Sequence, residues 1–268
     1  MKLLLYLMNR FLKIFKNIIP KKARLIVHKI YFDYLMTFLE KTALFNKLYF
    51  KNILLPEYKN IIDLKTKSLI RHNLYENYEI EAIEKMKFWD NNFLDLGSSI
   101  GLCSFVVSSN MSNNHKHILL EPSKNLLDYS KKILSMQEHN NNIFINKAIG
   151  YDADSVMFNS GAGVLSGKTI SIDLNKDYEI VECTKIKDVL EENNINSFNI
   201  LIDIEGLSFL PLFQEESSFN NCNKVIFEEA FNDEFSFKRV QNQLIKLGFK
   251  IVYYSETRGS NIIGAVKK

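Results

Sequence analysis

Acidic residues and glycines follow two successive strand-like segments of this 268-residue chain. The stretch NNFLDLGSSIGLCSF places Asp95 within a strand, Gly97 and Gly101 in the loop after it, and an apolar helix beyond. The next strand ends ILLEP, so Glu121 lies 20 residues after Gly101. Glycines in such a loop let the backbone approach a ligand. An acid at the tip of the second strand can accept hydrogen bonds from both ribose hydroxyls. These residues predict a site for an adenosine-containing ligand.

Two such ligands fit the pattern, a dinucleotide and S-adenosylmethionine. Dinucleotide sites use G-x-G-x-x-G for the pyrophosphate, whereas this loop has Gly97-x-x-x-Gly101 and no third glycine. S-adenosylmethionine has no phosphate. Loop amides such as that of Ser99 can bind its carboxylate, while Asp95 or Asp203 can favour its amino group. The Asp-x-Gly pattern therefore favours S-adenosylmethionine, with an NAD-type oxidoreductase as the alternative.

Further acids follow the later strands. ILIDIEG reads as a buried strand with Asp203 and Glu205 at its carboxyl end, two residues apart and therefore on one side. Carboxylates there are costly unless they have partners or a role. We assign Asp203 to the amino end of the cofactor or to the proton of the acceptor, and Glu205 to a general base or a substrate ligand. IFEEAF brings Glu228 to the same cleft, and Glu79, before the first strand, is another candidate substrate ligand.

Strand-like and helix-like segments alternate from about residue 75 to the C-terminus. The strand-like segments are NFLDLG, HKHILLEP, NIFINKAIG, EIVECT, SFNILIDIEG and KVIFEEA. Such alternation predicts a mainly parallel sheet with helices on both faces. FKIVYYSE and NIIGAVKK predict a closing hairpin, and hence an antiparallel edge on that sheet. Ligands of such sheets bind beyond the carboxyl ends of the strands, where the acids described above lie.

The motifs FLDLGSSIGLCSF, LLEPS, NKAIG and ILIDIEGLSFLPLF together resemble the FkbM family of S-adenosylmethionine-dependent methyltransferases. The resemblance implies a class I methyltransferase (Rossmann-like) α/β fold with a seven-stranded sheet. It also implies O-methylation of a sugar hydroxyl on a glycan or secondary metabolite, and packing of Ala148 on the adenine. The chain departs from the family pattern at four positions. Ser98 and Ser99 replace Ala and Asn, Leu201 replaces Lys, and Ser208 replaces the second Glu of Glu-Gly-x-Glu.

The N-terminal part differs in charge from the rest of the chain. Residues 1–32 contain eight Lys or Arg and no acid, whereas the remainder has 26 basic against 31 acidic residues. We predict a helical, basic extension over 1–74 and a methyltransferase domain over 75–268. The amphipathic segment 1–20 is too short and too charged to span a bilayer. It either packs on protein or binds an anionic membrane surface. Membrane binding would also fit an alternative function, that of a non-catalytic, membrane-associated subunit that has kept the fold.

Several classes of site and partner are disfavoured. The three cysteines are scattered without a CxxC, so we expect neither a disulfide framework nor a metal site. The acidic body is unlike a surface that follows phosphates, so nucleic acid is not an expected partner. No signal-peptide pattern is recognisable, which predicts a cytoplasmic protein, with peripheral attachment to the inner face of the membrane as an alternative.

Overall fold

The computed structural model describes residues 47–58, 61–159, 178–204, 208–230, 237–256 and 260–268. Its contacts divide these residues into two units. The described part of the first unit is 47–55 and 63–75, and the other described residues form the second unit. The basic segment 1–20 lies outside the described residues. Within them, no helix is long and apolar enough to cross a membrane.

The first unit contains a short hairpin and one helix. Strands β1 (Tyr49–Phe50) and β2 (Ile53–Leu54) pair antiparallel across Lys51 and Asn52, which both have positive φ. Two left-handed residues are what a type I′ two-residue hairpin turn requires, so this part of the extension predicted to be helical forms two short strands. Helix α1 (Leu64–Arg71) does agree with the expectation. It begins at Asp63, whose carboxylate accepts the Lys65 and Thr66 amide hydrogens.

The second unit is an alternating α/β arrangement. Its helices are α2 (Asn77–Met86), α3 (Leu102–Ser108), α4 (Lys124–Leu134), α5 (Ile186–Glu192), α6 (Leu210–Gln214) and α7 (Phe237–Lys246). Its large sheet contains β3 (Asn92–Leu96), β4 (His117–Leu120), β5 (Asn142–Ile145), β9 (Phe198–Ile202), β10 (Cys222–Ala230), β11 (Phe249–Glu256) and β12 (Ser260–Lys267). Short 3-10 helices lie at Phe88–Asp90 and Glu216–Asn221.

The strand order confirms the predicted sheet. Among the described residues seven strands pair in the order β11-β12-β10-β9-β3-β4-β5, and the run from β10 to β5 is parallel. The C-terminal strand β12 is antiparallel to both β10 and β11, so the antiparallel strand lies second from the edge. From β3 the chain builds outward through β4 and β5, and it returns to the other side of β3 with β9. The strand order therefore reverses between β3 and β9, which is where open α/β sheets bind ligands.

A second sheet contains three strands, of which only β7 (Ser155–Asn159) lies outside the predicted strand-like segments. Strand β8 (Tyr178–Thr184) pairs parallel with β6 (Ala148–Ile149) and antiparallel with β7 (Ser155–Asn159). The single strand expected over NIFINKAIG is thus interrupted after Ile145. The Asn146 side chain donates there to the carbonyls of Glu121 and Pro122, which holds the interruption beside the end of β4.

Helices cover both faces of the large sheet. On one face α5, α6 and α7 bury apolar residues against the strands in a continuous core. On the other face α2 packs on α3, β10 and β12. Burial on both faces explains why β3, β4 and β9 read as continuous apolar runs.

Helix α2 is held close to the sheet by two features. Lys224 of β10 donates through Nζ to the carbonyls of Met86 (2.8 Å) and Lys87 (3.0 Å) at the helix C-terminus, and it pairs with Asp90. A cation at this end also complements the helix dipole. Gly264 of β12 faces the same helix end, because a Cβ there would lie 2.5 Å from the sulfur of Met86. The missing side chain therefore lets α2 approach.

Gly264→Ala is expected to lower the free energy of unfolding by about 1–3 kcal/mol, because the added methyl also meets Cβ of Tyr253 at 2.9 Å. Urea denaturation measures this change. In the double variant with Met86→Ala the sulfur contact is gone, so the combined loss should be smaller than the sum of the single losses. Strict additivity would contradict the close approach.

Candidate active site

The loop after β3 is a tight turn in which three of five residues have positive φ: Gly97 (84°), Ser99 (50°) and Gly101 (81°). The amides of Gly97 and Ser98 both donate to the Leu120 carbonyl of β4 (2.9 and 3.2 Å), and α3 begins immediately after Gly101. Left-handed backbone is readily adopted by glycine and is more common for Asn than for Ser. This explains the Asn of the family pattern at position 99.

The two glycines make room for the protein itself. A Cβ on Gly97 would lie 2.0 Å from the Asp203 carbonyl oxygen at the end of β9, and one on Gly101 would lie 2.7 Å from Cβ of Ser130 in α4. The directions of their absent side chains are filled by backbone and by helix packing, which fixes how β3, β9 and α4 meet. The approach of a ligand to this loop stays a prediction.

Glu121 connects this loop with the next helix. Its side chain is only 4% exposed, and its oxygens accept the amides of Ser99 and Ser123 at 2.8 Å each. Burial raises the pKa of Glu121 to about 7, with a smaller contribution from Asp95, and the two amide hydrogen bonds oppose this shift. The amides occupy two of the four acceptor positions of a carboxylate, which leaves two for a ligand.

Asp95 lies beneath the loop at 1% exposure. Its carboxyl accepts the hydroxyl of Ser104 in α3 at 2.5 Å, and the same hydroxyl lies 2.9 Å from Nε2 of His117 in β4. Burial raises the pKa of Asp95 to about 7, while the bond from Ser104 opposes the rise. Sequence reasoning missed Ser104 and His117. A polar residue in an otherwise apolar segment was the available signal for each.

Four predicted residues lie at one register level across neighbouring strands, and we call this set the edge row. Ile202 pairs with both Leu96 and Phe227, and Leu96 pairs with Leu120. The next residue on each strand belongs to the edge row, whose order across the sheet is Glu228, Asp203, Gly97 and Glu121. The amide of Asp203 donates to the Leu96 carbonyl at 3.0 Å, which continues the pairing to this level.

The two predicted substrate ligands are in contact with each other. Glu79 in the first turn of α2 is hydrogen-bonded through its side chain to Glu228 of β10. Burial, followed by the charge of Glu228, raises the pKa of Glu79 to about 9. Ala148 is half-buried at the start of β6, where it pairs with Cys183. Glu205 lies outside the described residues.

Two of the serines that depart from the family pattern have contrasting environments. The Ser98 hydroxyl is buried and has no hydrogen-bond partner among the described residues. A ligand or water at the loop would satisfy it. The Ser208 hydroxyl instead donates to the carbonyl of Ile204 (2.6 Å) and accepts its amide hydrogen (2.9 Å), so it links the two ends of the segment after β9.

Other kinds of site are less well supported. Within the described ranges no group of three or more His, Cys, Asp or Glu could hold a metal ion. A groove of about 520 Å³ is formed by α6 and α7 and contains none of the predicted site residues. It is lined by Phe213, Lys238, Arg239, Asn242, Gln243 and Lys246.

The model of the methyltransferase FkbM domain matches residues 95–251. The chain therefore belongs to the FkbM methyltransferase family. This confirms the family, the class of enzyme, a methyltransferase dependent on S-adenosylmethionine, and the cofactor. It favours the methyl donor over the dinucleotide that the loop spacing had left as an alternative. The comparison with curated proteins gave no match.

Solved structures with a similar fold include three methyltransferases. Magnesium protoporphyrin IX methyltransferase from Synechocystis PCC 6803 with bound SAH is 11% identical with a TM-score of 0.45, and the match covers 75% of this chain and 86% of that one. Ribosomal protein L11 methylase from Lactobacillus delbrueckii subsp. bulgaricus is 10% identical (TM-score 0.44; 72% and 77% covered). Aeropyrum pernix fibrillarin with S-adenosyl-L-methionine is 11% identical (TM-score 0.42; 66% and 66% covered).

Gly97→Ala is expected to lower the free energy of unfolding by at least about 2 kcal/mol. An alanine at this positive φ is strained, and its methyl would overlap a backbone carbonyl that cannot rotate away. Thermal or urea unfolding measures the loss. Ser98→Ala is the matched control in the same loop and should cost little, because the described residues offer its hydroxyl no hydrogen-bond partner that would be lost. A Gly97→Ala protein as stable as the wild type would contradict the tight approach of Asp203.

Proposed function

We propose that this protein transfers the methyl group of S-adenosylmethionine to a hydroxyl oxygen of a sugar, on a glycan or a secondary metabolite. The proposal goes beyond the family in naming the acceptor and the residues that act. The observation that carries it is the edge row, in which carboxyl groups flank Gly97 at the switch point of the sheet. Carboxylates are hydrogen-bond acceptors, and the hydroxyls of a ribose and of a sugar acceptor are donors.

We assign the cofactor to the Glu121 end of the edge row. When bound, S-adenosylmethionine supplies a methyl group on a cationic sulfur. Glu121 accepts the ribose hydroxyls with its two remaining acceptor positions. The amides of Gly97, Ser99 and Gly101 donate to Leu120, Glu121 and Ser98, so the turn contributes its close backbone surface and the buried Ser98 hydroxyl to the cofactor site. Ala148 follows Asn146, which bonds the Glu121 carbonyl, and this proximity supports its packing on the adenine. Asp95 accepts the hydroxyl of Ser104 and so links the end of β3 to the first turn of α3, and its negative charge favours the cationic cofactor.

We assign the acceptor to the Asp203 and Glu228 end. Methyl transfer needs the acceptor oxygen aligned with the methyl carbon, and alignment can supply about 7–11 kcal/mol of the barrier reduction. A hydroxyl must also lose its proton, and a positioned base contributes about 10²- to 10⁴-fold. Asp203, adjacent to Gly97 in the edge row, or Glu205 two residues later, takes that proton. Glu228 and Glu79 hold the sugar.

We also infer the domain boundary, a membrane contact and the cellular location from the sequence. The family match lies within 75–268, which supports a methyltransferase domain there and a separate extension over 1–74. The basic composition of the extension supports contact of residues 1–20 with an anionic membrane surface and a cytoplasmic location, peripheral to the inner face of the membrane.

Glu121→Gln is expected to weaken binding of S-adenosylhomocysteine about 10- to 100-fold, because a bond to a charged acceptor contributes roughly 1.5–3 kcal/mol. Calorimetric titration measures the affinity. Wild-type affinity should also fall as the pH is lowered through about 7, where Glu121 becomes protonated. Glu138→Gln, an exposed site, is the control. Equal affinity of wild type and Glu121→Gln would remove Glu121 from the cofactor site.

Asp203→Asn or Glu205→Gln is expected to lower the rate of methyl transfer about 10²- to 10⁴-fold without weakening binding of S-adenosylhomocysteine. The assay uses S-adenosylmethionine with a tritiated methyl group and a panel of monosaccharides and nucleotide sugars. Only one of the two substitutions should give the full loss, which identifies the base. A panel in which no sugar is methylated by the wild type, while the cofactor product still binds, would overturn the sugar assignment.

A further inference from the structure

Helix α2 contacts strand β10 at two places along its length. Lys224 holds the carbonyls of Met86 and Lys87 at the C-terminal end of the helix, and Glu228 contacts Glu79 near its N-terminal end. The four residues of strand from Lys224 to Glu228 span about 13 Å. The eight residues of helix from Glu79 to Lys87 span about 12 Å. The two spacings agree, so the pair of contacts fixes α2 along β10 and places the Glu79 side chain beside Glu228 of the edge row.

The contact between Glu79 and Glu228 has a chemical requirement. Two carboxyl groups can hydrogen-bond to each other only if one of them carries a proton, because two carboxylates offer acceptors alone. Glu79 is the more buried partner at 6% exposure, whereas Glu228 in the edge row is half-buried. Burial disfavours the charged form of a carboxyl group, so the proton belongs on Glu79.

Among the described residues, no cation neutralises Glu79. Besides a backbone hydrogen bond, the groups that interact with it are Glu228 of β10, Glu76 before its own helix, Cys103 of α3 and Tyr253 of β11. All of these are acidic or uncharged at neutral pH. The pKa of Glu79 is accordingly raised to about 9, first by burial and then by the charge of Glu228.

We propose that Glu79 is a positioning residue: it keeps its carboxyl proton at neutral pH and donates it to Glu228, which holds the Glu228 carboxylate at the edge row as an acceptor for a hydroxyl of the substrate. The inference rests on the proposed function for the role of Glu228, and on the geometry of α2 and β10 for the shared proton. No atom leaves the pair during the reaction, because the proton stays between the two carboxyl groups.

Two physical consequences follow. When the pH rises through the pKa of Glu79, a second negative charge appears beside Glu228, and repulsion displaces that side chain. The folded protein also keeps a proton that the unfolded chain releases above about pH 4.5. Stability therefore falls as the pH rises from about 5 to 9, since the unfolded state binds fewer protons over this range.

The first experiment needs no acceptor. At pH 8, infrared difference spectra should show the carbonyl band of a protonated carboxyl group in the wild type and in Glu84→Gln, an exposed control on the same helix, and should lack it in Glu79→Gln. Asp95 and Glu121 are largely ionised at this pH. The melting temperature of the wild type should fall from pH 5 to pH 9 relative to Glu79→Gln. An unchanged carbonyl band in Glu79→Gln would overturn the shared proton. So would the same dependence of melting temperature on pH in the wild type and in Glu79→Gln.

The second experiment tests positioning with the tritiated donor and the best acceptor of the sugar panel. Glu79→Gln keeps a hydrogen-bond donor but has no proton to lose, so its KM for the sugar should stay the same between pH 7 and pH 9, whereas the KM of the wild type should rise. Glu79→Ala should raise KM for the sugar about tenfold while leaving the affinity for S-adenosylhomocysteine unchanged. Unchanged KM in Glu79→Ala would overturn positioning. If no sugar is methylated, the role toward the acceptor fails with the proposed function, and the infrared band still decides the shared proton.

Discussion

The site depends on one close approach of backbone to backbone. Strand β9 ends against the turn after β3, with the carbonyl of Asp203 where a side chain at position 97 would be. Only glycine permits this, because the position combines positive φ with no space for a Cβ. The contact sets the separation of β3 and β9 at the point where strand order reverses. It thereby brings Asp203 to the level of Glu121 and Glu228, so that residues from four strands form a single edge row.

Burial of carboxyl groups is the second constraint, and the protein meets it differently at each position. Glu121 is stabilised by two backbone amides from the loop and from the start of α4, which rigidify the turn. Asp95 has one hydroxyl partner, and Glu79 is partnered by another acid. The pKa of each of these three groups is raised, with burial as the largest cause in every case. For Asp95 and Glu121, at the end of the site assigned to the cofactor, the charged form becomes less costly beside a cationic ligand, which suits a sulfonium donor.

The sequence predicted the elements better than their contacts. Alternation of apolar runs and helical segments is a local property, so the mainly parallel sheet, the closing hairpin and the acids at the strand ends followed from it. The hairpin at 49–54 was missed, since its turn residues, Lys51 and Asn52, carry no glycine. The partner of Gly97 could not be predicted, because Asp203 is more than 100 residues away. The pairing of Glu79 with Glu228 depends on how α2 lies on β10, and that is set by Lys224 and Gly264, which no short motif connects.

The two halves of the proposed site also differ in how they relate to the family. The matched region begins at Asp95 and includes the loop glycines, Glu121, Asp203 and Glu228, so it contains the whole edge row. Glu79 precedes it. In the proposed site, the residues assigned to the cofactor therefore lie in the part of the chain that the family model matches, whereas Glu79 of α2, assigned to the acceptor, lies outside that part. The buried apolar residues of α2, among them Ile83 and Met86, are constrained by their packing on the sheet. Glu79 in the first turn is therefore the residue through which this helix would act on the acceptor in the proposed site.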